Sequence, residues 1–482
     1  VDLAAAQIGC GDPQAAERSC RHALVLDSRH LQAHFNLGTA LYRRRAYEAA
    51  ASSLREALAL DPDFFPARVN LGLALRALGE FSAARAELER ALAQRPADPH
   101  ALLYCGIACQ DEGDLEAAAA RLERALELKP GAPELLANLA SVCRDAGELE
   151  RARELFERAL ASEPGYAHAR VEYAYTLLAA GDYARGWEHY EARWEANGWS
   201  DPADFRQPLW KGEPLEGRSL LVWGEQGVGD QILFAGLLPE VIWRAAACTV
   251  TCEEKLVRLF SRSFPGVRVL ARNAALHARL GREPFDFQTP IGSLARFLRR
   301  APGDFPLHSG YLRADPQRVC FWRERLAALG PGRTVGLSWR GGVATTRRHF
   351  RSIPLESWLP LLQLEGVHFV SLQYTDCVQE LETLRARHGV LVHHWPEAIA
   401  DYDETAALVC ALDSVASVCT ALVHLAGALG RPALVLVPAV AEWRYGRTGP
   451  RMPWYPSVEL VRQRRLGDWA PAIEEVAARL RA

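Results

Sequence analysis

Two short segments carry residue types that could do chemistry. Trp223-Gly224-Glu225-Gln226-Gly227-Val228-Gly229-Asp230 directly follows an apolar run, Ser219–Trp223. Ser417-Val418-Cys419-Thr420-Ala421-Leu422-Val423-His424 runs from an apolar strand into a helix. Each places glycine, hydroxyl or backbone N–H groups at a helix start. Such a terminus carries about half a positive charge and favours phosphate. Simpler roles stay open: Asp230 suits an N-cap, His424 suits a satisfied core or surface histidine, and a glycine-rich turn can be only a tight turn.

Other chemistries are excluded or weakened by composition. Lys129, Lys211 and Lys255 are the lysines of the chain, and no Gly-Lys-Ser/Thr is present. That argues against a P-loop ATPase or sulfotransferase. Phosphate would have to be held by arginine, backbone N–H groups or helix N-termini. The 11 cysteines include no CxxC, and neither Cys105/Cys109 nor Cys248/Cys252 has a histidine pair nearby, so no metal site is expected. A net charge of −3 does not suit a nucleic-acid-binding surface over the whole molecule. The longest strongly apolar run, near Pro432–Val440, is too short to span a bilayer. No basic-then-apolar leader opens the chain, which leads to the expectation of a soluble cytoplasmic protein.

The elements that must position these segments fall into two grammars. In the first two hundred residues Ala50, Ala84, Ala118 and Ala152 are spaced by 34, as are Ala57, Ala91, Ala125 and Ala159. Pro62, Pro96, Pro130 and Pro164 keep the period, and so do Gly79, Gly113, Gly147 and Gly181. Gly38, Gly72 and Gly106 form another column, filled later by Ala140 and Ala174. This is the tetratricopeptide pattern of paired antiparallel helices. Small residues sit where helices cross, proline stops the second helix, and Gly79, Gly113 and Gly147 turn between helices in left-handed backbone. Leu54, Leu88, Leu122 and Phe156 are expected to fill the seam to the next repeat. Repeats are read at 31–64, 65–98, 99–132 and 133–166, with a degenerate fifth over 167–200. Gly11, Ala16 and Ala23 fit a preceding unit whose first helix is mostly absent, which suggests a truncated product or a mis-called start. The array forms an α-solenoid whose concave face is expected to bind a protein or peptide.

After Trp199 the period stops. Asp201–Gly217 is rich in proline and glycine and reads as a linker. Strands are expected at Ser219–Trp223, Cys248–Cys252, Val267–Leu270 and Phe285–Gln288, with a helix over Asp230–Ala247 and another over Arg318–Leu329. A second series starts at Thr334–Trp339, with strands at 368–373, 390–394, 414–419 and 433–437. Helices are expected near 355–363, 376–387, 403–412 and 422–429. Alternating strands and helices predict parallel sheets, here two doubly wound α/β lobes facing a cleft. The final helix, Trp469–Leu480, is expected to pack back across the first lobe. The domains are then 1–200 for the array, 201–330 for the first lobe and 331–482 for the second.

Several ordered stretches together resemble bacterial tetratricopeptide-repeat proteins that end in a heptosyltransferase-like glycosyltransferase domain. They are Gly181-Asp182-Tyr183…Gly186-Trp187…Tyr190-Glu191…Arg193-Trp194, Pro208-Leu209-Trp210-Lys211-Gly212 and Gly224–Asp230. Farther on come Trp339…Arg351-Ser352-Ile353-Pro354-Leu355, Val370-Ser371-Leu372-Gln373, His424–Gly430, and Trp443-Arg444…Pro453-Trp454-Tyr455-Pro456. The resemblance implies a GT-B fold of two Rossmann-like lobes, using a nucleotide diphosphate sugar as substrate, with no metal and no other cofactor. It makes Asp230 the candidate general base and puts Glu225, Gln226, Gly227 and Gly229 in an acceptor-side loop. It makes Thr420, His424, Arg340, Arg351, Gln373 and Trp339 the donor-binding residues, with Arg347 and Arg348 also able to neutralise leaving-group charge or to lie in a solvated loop. The family usually has Asp-Thr-Ser/Gly before His-Leu-Ala, where this chain has Cys419, Thr420 and Ala421.

Two functions follow from that resemblance. In one, the array selects a protein acceptor, for example a flagellin-like one, or a glycan, and the cleft transfers the sugar. In the other, the changes at Cys419 and Ala421 leave a non-catalytic protein-binding scaffold with a degenerate nucleotide-sugar-binding domain.

Overall fold

The computed structural model describes residues 1–197, 205–342 and 347–481. These divide into two compact units. One is Val1–Ala169, with which Arg347 groups; the other is Arg170–Gly342 with the residues from Arg348 onward.

The first unit is a solenoid of helix pairs. Its helices are α1 (Asp2–Gly9), α2 (Pro13–Leu26), α3 (Leu31–Arg43), α4 (Tyr47–Leu60), α5 (Phe65–Leu78) and α6 (Phe81–Gln94), then α7 (Pro99–Glu112), α8 (Leu115–Leu128), α9 (Pro133–Ala146) and α10 (Leu149–Ser162). The helix expected to be mostly absent before Gly11 is present as two turns, α1. Gly79, Gly113 and Gly147 cap α5, α7 and α9 with φ of 82°, 86° and 88°, the left-handed backbone that glycine adopts without strain.

The small-residue column has a direct steric reason. A Cβ on Gly72 would lie 2.6 Å from Leu88 Cγ, and one on Gly38 the same distance from Leu54 Cγ. This corrects one expectation. Leu54, Leu88 and Leu122 fill the crossing inside their own helix pair, against Gly38, Gly72 and Gly106. Polar rungs tie successive repeats together: Asn70 donates to Thr39, and Gln110 to the buried Asp145 at 2.7 Å. Asp145 also accepts from Arg347 at 2.6 Å.

The second unit begins with α11 (Ala167–Ala180), most of which lies in it, then α12 (Tyr183–Tyr190) and α13 (Arg193–Asn197). Its first sheet contains β1 (Ser219–Trp223), β2 (Ala247–Cys252), β3 (Arg268–Ala271) and β4 (Phe287–Pro290), all parallel, in the order β3-β2-β1-β4. The helix expected over Asp230–Ala247 is two, α14 (Val228–Ala235) and α15 (Leu238–Arg244). Pro239 at the start of α15 cannot donate to the preceding turn, so the helix restarts there. The remaining helices of this lobe are α16 (Val257–Ser263), α17 (Ala274–Leu280) and α18 (Ala295–Leu298). The α19 helix (Pro316–Ala327), expected in this lobe from its place in the sequence, packs on the second one, where its Arg318 and Trp322 donate to Glu404 and its Trp322 ring lies 5.4 Å from that of Trp395.

Part of the expected linker, residues 201–204, lies outside the described residues. The rest packs on the first lobe. Leu209 bridges Gln288 in parallel fashion beside β4, and Trp210 is buried edge-on to Phe297.

The second sheet holds β5 (Arg333–Ser338), β6 (Val367–Ser371), β7 (Val392–His393), β8 (Ser414–Val418), β9 (Ala433–Val437), β10 (Arg451–Met452) and β11 (Tyr455–Arg462). The order is β10-β11-β9-β8-β5-β6-β7, parallel except for β10 against β11. Its helices are α20 (Leu359–Leu362), α21 (Val378–His388), α22 (Pro396–Ala400), α23 (Tyr402–Ala411), α24 (Ala421–Ala428) and α25 (Ala470–Arg481).

The last of these overturns an expectation. The α25 helix does not cross to the first lobe. Ile473, Val476 and Leu480 are buried with Val335, Leu337, Phe369 and Leu436 in the second lobe's own core, and Arg333 Nη1 donates to the Leu480 carbonyl. The amphipathic stripe of α25 is legible in sequence, but its destination is set by the open face of this sheet.

Candidate functional site

Both sheets reverse strand order once. In the first, the chain builds outward from β1 to β2 and β3, then returns to place β4 on the other side of β1. In the second, β5-β6-β7 grow one way and β8-β9-β11 the other. Open α/β sheets bind ligands beyond the carboxyl ends of strands at such a switch point. The two glycine- and hydroxyl-bearing segments lie there: Gly224–Asp230 follows β1, and Cys419–His424 follows β8.

The two segments meet. A Cβ on Gly229 would lie 3.1 Å from the His424 ring and 3.4 Å from Ala421 Cα, so the first turn of α14 rests against the first turn of α24. Thr420 is the N-cap of α24, accepting from the Leu422 N–H at 3.2 Å. Beyond β5, Gly341 runs so close to Thr420 that any side chain there would overlap its methyl group.

Asp230 is not an N-cap. Gly227 occupies that position, and Asp230 stands third in α14 with its carboxylate held by Arg444 Nη2. Arg444 Nη1 also donates to Glu442 at 2.9 Å, and Glu442 accepts from Arg351 on its other oxygen. The result is an alternating chain, Asp230–Arg444–Glu442–Arg351. His424 is 5% exposed and its Nδ1 lies 3.3 Å from the Tyr455 hydroxyl. Burial pushes this imidazole down to about 3, and the Arg444 guanidinium adds to the effect. It is neutral, so any hydrogen bond it makes to a ligand is that of an uncharged ring.

The other sequence-derived residues take different places. Glu225 is buried and forms a two-point pair with Arg193, Nε at 3.0 Å and Nη2 at 2.8 Å, while accepting the Gly292 N–H at 3.0 Å. Burial pushes its carboxyl up, and Arg193 opposes that shift. Gln226 adopts left-handed backbone, φ 58°, uncommon for a side chain of this size. It is held by its amide donating to the Tyr190 hydroxyl at 2.6 Å, and its carbonyl accepts from Gln231 at 3.2 Å. Residues of α12 and of the start of α13 therefore fix the loop that carries Gly227, Gly229 and Asp230.

Gln373 serves the backbone after β5. Its Oε1 accepts from the Trp339 and Arg340 N–H groups, and its Nε2 donates to the Arg340 carbonyl. Trp339 is fully buried and donates to Glu380. The Arg340 guanidinium turns to Glu380 and to the Asp376 carbonyl near the start of α21. Arg348 is exposed, and Arg347 is engaged with Asp145. Arg351 is thus the member of that arginine group that joins the Asp230 chain.

Sequence reasoning gave no role to Arg444, Glu442 or Arg193. Trp443-Arg444 and Arg193-Trp194 stood among the motif stretches, but a motif does not say which distant carboxylate an arginine meets. Among the described residues no group of three or more His, Cys, Asp or Glu is placed to hold a metal ion, and no helix is long and apolar enough to cross a membrane.

The neutral state of His424 has a measurable consequence. Its folded pKa is depressed from about 6.5, so its contribution to stability is complete above that pH and is lost progressively as pH falls toward about 3. Thermal unfolding followed from pH 7 to pH 4 should show a smaller fall in Tm for His424→Asn than for the parent. Equal falls would remove His424 as an acid-labile group.

Comparison with known proteins agrees with the repeat pattern. Tetratricopeptide-repeat models match residues 1–63, 41–103, 110–158 and 144–186. Protein FlbA of Caulobacter vibrioides is 36% identical over 313 residues, 61% of this chain and 52% of FlbA. The chain thus spans about half the length of this curated relative. The match is longer than the repeat region, so it extends into the strand-bearing part. Among solved structures, the thermophilic TPR protein TTC0263 of Thermus thermophilus gives a TM-score of 0.33 at 23% identity, over 37% of this chain and 96% of that one. PilW, a widely conserved type IV pilus biogenesis factor, gives 0.37 at 26% identity, over 42% and 93%. The N-terminal part of the chain is a solenoid of tetratricopeptide repeats, and the chain is related to protein FlbA.

Proposed function

We propose that the second unit transfers a sugar from a nucleotide diphosphate donor to a hydroxyl group of a protein acceptor recruited by the repeats. One observation carries this reading: Asp230 stands where the switch points of two parallel-sheet lobes meet, beside the Arg351–Glu442–Arg444 cluster and the N-terminus of α24. In the reaction, Asp230 takes the proton of the acceptor hydroxyl as its oxygen attacks the anomeric carbon. The bond from that carbon to the donor phosphate breaks, and the departing diphosphate is stabilised by the guanidinium groups and the helix dipole. The sequence resemblance to heptosyltransferase-like enzymes supports the same assignment.

A scaffold reading rests on a different observation, the engagement of Asp230 by Arg444, together with Cys419 and Ala421 at the donor turn. The two readings separate in one experiment. Candidate acceptor proteins are co-expressed with the chain in a cell that makes many sugar nucleotides, and their intact masses are measured. A hexose- or deoxysugar-sized increment that needs the chain supports transfer. Unmodified acceptors that still co-purify with the chain support the scaffold.

A further inference from the structure

We infer that Arg444 is the residue that binds the donor's diphosphate, and that Asp230 holds its place in the unliganded protein; this rests on the proposed transferase reading. The argument begins with charge. Two guanidinium groups, Arg351 and Arg444, lie near the first turn of α24, close enough that both act on the His424 ring. Glu442 lies between them, one oxygen to each. The starts of α14 and α24 add their partial positive ends to the same small region. Against this stand two carboxylates, Glu442 and Asp230. Glu442 is fixed by two partners. Asp230 is the one that reaches in from the other lobe, 214 residues away in sequence.

Arg444 also has capacity to spare. Its Nε is buried with no hydrogen-bond partner, while its two terminal nitrogens serve Asp230 and Glu442. Its guanidinium lies 4.9 Å from the Trp443 ring centroid, which limits how far it can move. A diphosphate offers more charge and more acceptor oxygens than one carboxylate, and arginine recognises phosphate by paired N–H groups. Exchange of Asp230 for diphosphate on Arg444 would satisfy the cation and release the carboxylate in a single event. The base would then be free only when a donor is present. Proton uptake by Asp230 in the absence of donor is suppressed by the same contact.

Calorimetric titration of the full chain tests this, with UDP, GDP, ADP and inorganic pyrophosphate as probes. Asp230→Asn removes the competing carboxylate and should tighten diphosphate binding about 10-fold. Arg444→Gln should weaken it by about 10-fold or more, and Arg444→Lys should retain part of the affinity. In the double variant the gain from Asp230→Asn should vanish, because it acts through Arg444. Circular dichroism must show each variant folded. Diphosphate that binds with one affinity to the parent, Arg444→Gln and Asp230→Asn overturns the role of Arg444 and leaves the transferase reading standing. No binding of any probe to any folded variant overturns the anion site and the transferase reading with it. Binding seen in Asp230→Asn alone supports the exchange.

Discussion

Replacing Asp230 by asparagine should lower sugar transfer about 10²–10⁴-fold, the usual loss when a general base is removed. The amide keeps the side chain's size and its position third in α14, and it can still accept from Arg444. What it cannot do is take a proton. Donor binding should not weaken, since the substitution removes a negative charge from the region the diphosphate enters. The expected signature is thus a fall in kcat with the diphosphate Kd lower by about 10-fold. Transfer at the parental rate by purified Asp230→Asn would eliminate this residue as the base. The next carboxylate in the chain of pairs, Glu442, would then have to be considered.

The second large effect concerns the array. Deleting residues 1–166 should spare hydrolysis of a donor sugar and remove transfer to a protein acceptor. The second unit has its own core, which includes Ala174, Leu178, Tyr183, Trp187 and Tyr190, so the cut is made before these residues. Trp187 donates to the Arg299 carbonyl at 2.7 Å, and Arg193 reaches Glu225 in the loop before Asp230. Cutting later would leave Glu225 as an unpaired buried carboxylate, a loss of about 3–5 kcal/mol. Circular dichroism establishes that the truncated chain is folded. Donor hydrolysis and acceptor modification are then measured side by side. Full-rate modification of the protein acceptor by the truncated chain would show that the repeats do not select it.

The sequence was most readable where a position is governed by its immediate neighbours. The 34-residue columns were clear because Gly38, Gly72 and Gly106 each answer to one leucine across a helix crossing, which a Cβ would approach within 3 Å. The strands Ser219–Trp223 and Ala433–Val437 were placed to the residue, as short apolar runs bounded by turns. Elements that depend on remote partners were not readable. The stripe of α25 does not say which sheet it covers. The β10–β11 edge is built around Pro453 and Pro456, which in sequence argue for a turn. At the site, sequence placed Asp230, Thr420 and His424 at the helix starts that follow β1 and β8, because helix starts and glycines have local signatures. It could not foresee that Arg340 and Arg351, eleven residues apart, point to different acids, or that Asp230 meets Arg444.

The aromatic cluster around Trp187 also makes the protein its own optical probe. Trp187 from α12 lies edge-to-face with Trp443 at 5.4 Å between ring centroids and with Trp454 at 6.3 Å; Phe234 of α14 lies 5.9 Å from Trp454. Indoles this close couple their electronic transitions, and such coupling decays steeply with separation and angle. The rings come from α12, from the first lobe and from the second. Any change in the spacing of the two lobes therefore has to alter near-ultraviolet ellipticity and tryptophan emission without an attached dye. A stopped-flow trace of that signal on mixing with UDP tests whether the spacing of these rings changes, with no label attached.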